Sequence, residues 1–399
     1  MDLGMLLSEQ GRVDPPAHYA SLHREGVAQA VDENAQGFAV AVYGFEAVGQ
    51  VLKDSRFRQL DAAYLDLHTP QWRRHPALRV LRDSMFFTDG PAHDGVRQII
   101  GRAFTARRVA ALEHAMTDLT HRLLDRLAQL AADGPVEFMG EFAYLLPSSV
   151  MAELLGVPQD DLAWFRPRVL AIGAILELDG ANWRNMVRAD AAARELSAYF
   201  ADLVALRRAE PRDDLISLLA ATDLGDDALV ANLITTFNAG FVTTTHLLGN
   251  GLTMLLERPQ LRAELAAHNV GSYVDEMLRF EPPVQILVRY APEDAEIEGV
   301  PCPAGQAVLV MIGAANRDPA RFTDPDAFDP ARPDPGSLSF GFGPHYCLGA
   351  ALSRLEGQVA FPALFERFPE LALAQQPGNA PKPLILRGHD TLTVACHGV

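Results

Sequence analysis

The feature that most constrains the fold is a long apolar segment between residues 227 and 258. As an α-helix, its roughly 32 residues would span about 48 Å at 1.5 Å per residue. Apolar side chains occur on nearly all of its faces, and a helix with that pattern is buried along its length. Pro259 ends the segment, because proline lacks the backbone N–H that a continuing helix needs. We therefore expect a large globular unit built around one central helix.

The middle of this segment, residues 239–245, is a poor helix former. Gly240 costs about 1 kcal/mol relative to alanine inside a helix, and three consecutive threonines begin at Thr243. Threonine hydroxyls can bond to carbonyls of the preceding turn and bend or widen a helix. A weak centre in a buried helix indicates that a large group approaches the backbone there, although an ordinary kink between packed helices would give the same pattern.

Composition and patterning predict one domain. The chain has 399 residues, 49% of them hydrophobic, and carries no Ser/Gly tract, charge block or internal repeat that would mark a linker. Further helical patterns cover residues 108–132, 188–210 and 349–368, and short strand-like runs occur at 39–42, 307–312 and 392–396. The expected fold is mostly α with a minor β part, in a single domain over residues 1–399.

Charge and cysteine usage narrow the class of protein. The formal net charge of −17 argues against binding of nucleic acid or of anionic membranes. No run reaches the ~18 uninterrupted apolar residues of a membrane span. Cys302, Cys347 and Cys396 are too widely spaced for a zinc site or a disulfide framework. A soluble chain in a reducing, cytoplasmic setting is expected.

One of these cysteines lies in a distinctive loop. Residues 340–349 read Phe-Gly-Phe-Gly-Pro-His-Tyr-Cys-Leu-Gly, and a helix-forming run follows. Glycines allow backbone N–H groups to approach the Cys347 sulfur, and helix N-terminal amides lower the pKa of a thiol. These features predict a positioned, electron-rich sulfur, whereas a lone cysteine is more commonly a buried structural residue.

The spacing of this loop identifies a family. Phe340, Gly343, Cys347 and Gly349, with His345 two residues before the cysteine, resemble the haem-binding loop of the cytochrome P450 family. The resemblance implies the cytochrome P450 fold, with haem b between the long central helix and the cysteine loop and with a thiolate from Cys347 as axial ligand. Phe340 and Gly349 would contact the cofactor from the same loop.

The central helix carries the second part of the resemblance. Ala239, Gly240 and Thr243 match the family pattern on the oxygen-binding side, where the small residues would make room for dioxygen and Thr243 would hold water and oxygen. The family's acid is replaced by Val242, which can neither carry nor relay a proton. His246 one turn on, the two following threonine hydroxyls or a group of the substrate could compensate. Our hypothesis is altered proton delivery, with Val242→Glu improving the coupling of reductant use to product.

Basic residues matching the family's haem-contacting positions are spread along the chain. They are His93 and Arg97 in one helical motif, Arg289 in a predicted strand, and His345 in the cysteine loop. Arginine is suited to carboxylates because it can donate two parallel hydrogen bonds. Each residue alone would more commonly lie at the surface. The resemblance implies that together they bind the two haem propionates.

A further motif indicates a structural network. Glu276 and Arg279 are three residues apart on a predicted helix and can pair. With Arg332 they match a Glu–Arg–Arg cluster of the family that we interpret as fold-forming and not catalytic. Such a cluster would fix the loop that carries Cys347.

The resemblance also implies a reaction. It is oxidation of a mainly hydrophobic small molecule, a natural-product intermediate of secondary metabolism, by hydroxylation or epoxidation with O2 and two electrons. No flavin, nicotinamide or iron–sulfur motif occurs, so a ferredoxin-type donor with its reductase is expected. It would dock on the cysteine side at a basic surface formed by Arg102, Arg107, Arg108 and Arg354. By analogy, five stretches would line the substrate pocket: residues 58–85, 165–183, 237–244, 285–287 and 384–386.

Three alternatives remain open at this point. Loss of the acid at Val242 could accompany oxidative coupling or ring formation without oxygen insertion. Turnover could instead be driven by peroxide. A non-catalytic relative that binds ligands or partners is the third, although Cys347 and the basic set argue against it.

Overall fold

The computed structural model describes residues 4, 8–31, 37–178, 182–265, 269–334, 336–375, 378 and 382–397. Helices form most of this part of the chain. The α-helices, in chain order, are α1 (Glu9–Val13), α2 (Pro16–Glu25), α3 (Phe45–Lys53), α4 (Ala62–His68), α5 (Pro76–Arg82), α6 (Gly90–Gly101), α7 (Ala106–Ala131), α8 (Leu145–Leu155), α9 (Leu162–Ala174), α10 (Trp183–Ala209), α11 (Leu215–Ala220), α12 (Asp226–Glu257), α13 (Pro259–Leu265), α14 (Val270–Phe280), α15 (Ile312–Ala315) and α16 (Ala350–Arg367). Short 3-10 turns lie at Trp72–Arg74, Met85–Phe87, Gln159–Asp161 and Gly343–His345, and a π-helical turn lies at Met139–Ala143.

The strands form small sheets. They are β1 (Ala28–Ala30), β2 (Phe38–Val42), β3 (Val136–Glu137), β4 (Ile286–Tyr290), β5 (Ala295–Ile297), β6 (Val300–Cys302), β7 (Ala307–Met311), β8 (Glu370–Leu373) and β9 (Thr393–His397). A four-stranded sheet has the order β1-β2-β7-β4, in which only the β2–β7 pair is parallel. The antiparallel order β3-β9-β8 and the β5–β6 hairpin form the other two sheets. The predicted class, mostly α with a minor β part, is confirmed.

The central helix is confirmed almost residue for residue. Helix α12 is 32 residues long, its C-cap is Arg258, and Pro259 begins the next helix. It is an unbroken α-helix through the weak centre. The predicted helix at 188–210 begins earlier, at Trp183, because the Asn182 side chain accepts a hydrogen bond from the Asn185 N–H and caps it there.

Helix α12 lies in the interior and packs against α5, α8, α10, α14 and α16. Glycine allows the closest of these approaches. A Cβ at Gly251 would lie 2.4 Å from the Phe361 ring of α16 and 2.7 Å from Met277 Sδ of α14. These contacts place the helix that follows the cysteine loop directly against the central helix.

Among the described residues, we find no helix that combines the length and the apolar character needed to cross a bilayer.

Candidate active site

The loop before α16 is held in a tight conformation that requires its glycines. Gly341 and Gly343 have φ values of 70° and 72°, in the left-handed region. A Cβ at Gly343 would lie 2.8 Å from the Leu52 carbonyl oxygen at the end of α3. The loop closes on itself, because the Cys347 N–H donates to the Phe340 carbonyl at 2.9 Å. The sequence therefore fixes the position of the cysteine through backbone geometry.

The Cys347 sulfur lies where α16 begins. The Gly349 N–H donates to it, and Arg97 and Arg354 lie close enough to favour the thiolate. The residue has solvent access on one side, yet protein atoms surround the rest of the sulfur, and this burial outweighs the favourable groups and raises the thiol pKa. The predicted lowering effect of the backbone N–H groups is present in the Gly349 bond, but burial outweighs it. A coordinated metal ion deprotonates a thiol outright, so a raised thiol pKa does not prevent this sulfur from acting as a metal ligand.

The predicted haem-contacting histidines come together beside this loop. The ring centroids of His93 and His345 are 4.1 Å apart. His345 Nε2 lies 2.9 Å from Asp89 Oδ1, and the other oxygen of Asp89 accepts the Gln59 N–H at 2.9 Å. Burial alone would raise the pKa of Asp89, but the bonds from His345 and Gln59 hold it below its usual value. The Asp89 carboxylate thus fixes the orientation of the His345 ring.

The two predicted arginines join the same cluster. Arg97 donates from Nη2 to the Tyr346 carbonyl at 2.5 Å. Arg289 is 5% exposed and donates from Nη1 to Gln59 Oε1 at 3.2 Å and to the Val288 carbonyl at 2.8 Å. Burial lowers the pKa of Arg289 to about 10, against the attraction of Asp89. Burial lowers the pKa of His345, so the two guanidinium groups carry the positive charge of the cluster. Because their hydrogen bonds go to neutral oxygens, both remain able to bind an anionic group.

A short face of α12 is exposed, whereas most of the helix is buried. Ala239 is exposed and Thr243, one turn later, is partly exposed, whereas residues 229–237 are buried. The Thr243 hydroxyl donates to the Ala239 carbonyl at 3.2 Å. Glycine at residue 240 was expected to make room for dioxygen. In the structure its small size makes room for α8 instead, because a Cβ there would lie 2.4 Å from Met151. Ala239 and Thr243 form the accessible face.

The two residues considered for proton delivery, Val242 and His246, carry no charge at pH 7. Val242 is 9% exposed and belongs to the hydrophobic core. His246 packs its ring against Gly388, and its Nδ1 has no hydrogen-bond partner among the described residues. Burial lowers the pKa of His246 to about 4, so this imidazole is neutral at pH 7.

Comparisons with known proteins decide the family. The cytochrome P450 family model matches residues 270–390. Over 407 aligned residues, covering 99% of this chain and 94% of the relative, the sequence is 36% identical to the cytochrome P450 monooxygenase PikC of Streptomyces venezuelae. The chain is a cytochrome P450. It is also 42% identical to the vitamin D(3) 25-hydroxylase of Pseudonocardia autotrophica over 300 residues, which cover 73% of this chain and 72% of the relative.

The fold comparison agrees. This P450 superposes with a TM-score of 0.86 on CxnD, a cytochrome P450 enzyme for C–S bond formation in chuangxinmycin biosynthesis. The match covers 96% of this chain and 94% of that chain at 30% identity. The P450 is therefore an oxidoreductase of the monooxygenase type that carries haem with a cysteine thiolate as axial ligand. The residues fit that cofactor, because an exposed cysteine adjoins two arginines that donate hydrogen bonds to neutral oxygens.

The predicted structural network of this P450 is confirmed. Glu276, fully buried, accepts bonds from Arg279 Nε at 2.7 Å, Arg279 Nη2 at 2.8 Å and Arg332 Nε at 3.1 Å. Arg279 Nη1 also donates to the Asn316 carbonyl at 2.9 Å, and the Asn316 side-chain amide donates to Ser339 Oγ at 2.8 Å. Ser339 directly precedes the cysteine loop, so the network reaches that loop through two hydrogen bonds.

Sequence reasoning missed a carboxylate that holds two predicted pocket stretches together. Glu177 accepts the backbone N–H groups of Leu384, Ile385 and Leu386, each at 2.9 Å. Within the predicted stretch 165–183, residues 179–181 lie outside the described residues. Two other groups were missed, Asp89 and Glu356. Asp89 precedes a Gly-Pro helix start and has the pattern of a helix cap, but its side chain binds His345 instead.

Proposed function

We propose that this P450 inserts one atom of O2 into a mainly hydrophobic small molecule, by hydroxylation or epoxidation, and that the substrate is a natural-product intermediate. Cys347 is the axial ligand, in a loop that includes Phe340 and Gly349. The propionates are held by His93, Arg97, Arg289 and His345. The single observation that carries the proposal is the convergence of these basic residues beside the cysteine loop. The whole chain, residues 1–399, acts as one catalytic domain.

The substrate class rests on the character of the predicted walls. Within the predicted stretches, Leu287, Ile385 and Leu386 keep part of their apolar side chains exposed. Phe237 and Phe241 on α12 are instead buried in the hydrophobic core, and Gln285 is a buried polar residue. Gln285 Nε2 donates to the Pro282 carbonyl at 2.7 Å. A mainly apolar lining with few polar groups selects hydrophobic ligands and orients them at few points. The sequence similarity to PikC, a monooxygenase, extends over 94% of that protein and supports the proposed reaction type.

In this proposal the protein positions the reactants and controls protons. Haem supplies, when bound, the activation of O2 at a thiolate-ligated iron. Ala239 leaves space on the accessible face of α12. The Thr243 hydroxyl, held by the Ala239 carbonyl at 3.2 Å, orients water and oxygen there. Val242 excludes water from its side of the helix and supplies no proton, and His246 is neutral at pH 7 and is at most a relay.

Isotope labelling tests the reaction type. With 18O2, a ferredoxin–reductase pair and a substrate found by ligand-binding spectra, we expect one labelled oxygen atom in the product. The runner-up is oxidative coupling or ring formation. It is favoured by Val242 in place of the acid and by the likeness to CxnD, an enzyme for C–S bond formation. A cross-linked product that carries no label would replace the first proposal with the second. An assay with peroxide and without the reductase tests the peroxide-driven alternative. Product formation under those conditions would support it.

We propose that the electron donor is a ferredoxin-type protein and that it docks at the basic surface beside the cysteine loop. Both proteins would be cytoplasmic. A Cβ at Gly101 would lie 3.7 Å from the Leu348 side chain, so the end of α6 adjoins that loop. Two of the four predicted arginines are already paired, Arg108 with Asp213 at 2.7 Å and Arg354 with Asp275 at 2.6 Å. Arg102 and Arg107 are exposed and carry most of the available charge.

Charge reversal at this surface is expected to slow electron delivery. The double variant Arg102→Glu, Arg107→Glu should lower the rate of reduction by ferredoxin by about tenfold at low salt, because like charges oppose docking. Stopped-flow reduction measures this, with substrate affinity unchanged. Arg194→Glu, at an exposed position of α10, is the matched control. Equal rates for both variants would place the docking surface elsewhere.

A further inference from the structure

A cleft apart from the candidate active site lies between α7, α8 and the C-terminal part of α10. Its volume is about 1040 Å³, near the upper end of the range for small-molecule sites. The described residues that line it include none from the cysteine loop, from the basic cluster or from the predicted pocket stretches. No role described so far accounts for this cleft.

The three helices each turn one face toward the cleft. Along α8 and its C-cap, the lining residues include Ser149, Ala152 and Gly156, at spacings of three and four. Met116 of α7 and Ala152 are buried, and Leu206 of α10 keeps 43% of its surface exposed. This apolar surface suits the hydrocarbon part of a ligand, because contact would remove both surfaces from water.

Arg207 places a buried guanidinium group in the cleft. Its side chain is 3% exposed. Nε donates to Asp214 Oδ2 at 2.5 Å and Nη2 donates to the Gly156 carbonyl at 2.9 Å, whereas Nη1 has no hydrogen-bond partner among the described residues. Gly156 has a φ of 90°, and a Cβ there would clash with the Asp214 carboxylate, so the end of α8 holds the pair in place. Nη1 can therefore donate to an acceptor that enters the cleft.

The charges around Arg207 favour an anionic acceptor. Arg207 and Asp214 neutralise each other, and Asp213 is paired with Arg108 at 2.7 Å. Arg212 also lines the cleft, is exposed, and makes no ion pair within the part of the chain that the structure describes. Its charge is therefore unbalanced at this end of the cleft, and a carboxylate is the acceptor that it favours. The other charged lining residues lie on α7 and α8 and are Asp118, Arg122 and Glu153.

A second polar group lies on the same face of α8. Ser149 is 8% exposed, and its carbonyl accepts from Gln159 Nε2 at 2.9 Å. Its hydroxyl has no hydrogen-bond partner among the described residues, although buried polar groups are almost always paired. Ser149 lies two helical turns before Gly156, the residue that accepts from Arg207, which is about 10 Å along the helix axis. A ligand that reaches both polar groups is therefore an extended chain.

We propose that this cleft is a second ligand site of the P450 and that it binds an extended aliphatic carboxylate. The carboxylate accepts from Arg207 Nη1, with Arg212 nearby, and the chain covers the apolar surface beside Leu206. A polar substituent about 10 Å from the carboxylate reaches the Ser149 hydroxyl. The inference does not depend on the proposed function, because the cleft and the candidate active site share no residue.

The test of the carboxylate uses the haem-loaded enzyme with its active site blocked by clotrimazole, an azole that coordinates the iron. Isothermal titration calorimetry should show saturable binding of decanoate and weaker binding of decanol. Arg212→Glu should weaken decanoate binding by about fivefold, the upper range for an exposed ion pair, and leave decanol binding unchanged. Arg194→Glu is the control, since Arg194 is exposed on α10 and lies outside the cleft. No saturable binding of decanoate, or equal effects of the two substitutions, would overturn the proposal.

The same titration with ω-hydroxydecanoate tests the second polar group. This ligand should bind about fivefold more tightly than decanoate, the value of one neutral hydrogen bond, and Ser149→Ala should abolish the difference. Ser148→Ala is the matched control, because Ser148 is also buried but its hydroxyl donates to the Tyr144 carbonyl at 2.6 Å. If Ser149→Ala leaves the preference for ω-hydroxydecanoate intact, the chain does not follow the face of α8 and the proposed arrangement is wrong.

A third pair of variants locates the hydrocarbon chain. Leu206→Glu should weaken the binding of decanoate, decanol and ω-hydroxydecanoate alike, because it places a charge on the apolar surface of the cleft. Leu130→Glu should change none of them, since Leu130 is 40% exposed on α7 but lies outside the cleft. Unchanged binding to Leu206→Glu would place the ligand elsewhere on the P450.

Discussion

Replacing Cys347 with serine is expected to reduce substrate oxidation below detection. Among the described residues, its sulfur is the one that combines a glycine-constrained loop, the start of a helix and solvent access. Serine keeps the size of the side chain but replaces a soft sulfur ligand with a hard oxygen, which donates much less electron density to iron. The fold should be preserved, because the N–H at this position still donates to the Phe340 carbonyl.

Two measurements check this prediction. The spectrum of the reduced carbon-monoxide complex should lose the thiolate-haem absorption, and the rate of product formation should fall with it. Cys396→Ser is the control, since Cys396 lies in β9 with intermediate exposure and no predicted role. A Cys347→Ser protein that keeps the thiolate absorption, or a Cys396→Ser protein that loses it, would show that the ligand has been misassigned.

The parts of the fold that could be predicted from sequence are those set by local pattern. Helix α12 was predictable because its apolar character extends all round and Pro259 must end it. The cysteine loop was predictable because its glycines have φ values that other residues rarely adopt. The sheet order β1-β2-β7-β4 was not predicted, since it joins strands more than 200 residues apart and pairing at that range leaves no local pattern.

The parts of the site that were missed depend on what packs against each residue. Glu356 lies on a helix with many polar residues, where an acid normally faces solvent, and the helices that pack against α16 bury it. Asp89 has the sequence pattern of a helix cap but binds His345. Gly240 was correctly recognised as unusual, yet its neighbour is Met151. In each case the residue type was informative, and the partner was determined by tertiary structure.

Glu276→Gln is expected to lower the free energy of unfolding by about 3–5 kcal/mol, because it leaves the Arg279 guanidinium buried without a counter-charge. Arg279 and Glu276 are both fully buried. Arg279 also donates to the carbonyls of Asn316, Pro325 and Ala327 at 2.9 Å. Glutamine preserves the volume, so the effect isolates the lost charge from any cavity. The loop carrying Cys347 should loosen as well, since Asn316 connects the network to it.

Denaturant unfolding followed by circular dichroism measures the change. Asp334→Asn is the matched control, because Asp334 also accepts from an arginine, Arg321 Nη2 at 2.5 Å, in the segment that follows the network. Its side chain is 65% exposed, where solvent screens the pair, and the midpoint of unfolding should barely move. Burial is then the variable that separates the two substitutions. Equal midpoints for Glu276→Gln and Asp334→Asn would mean that the network contributes no more than a surface ion pair, and that the cysteine loop is held by its glycines and backbone bonds alone.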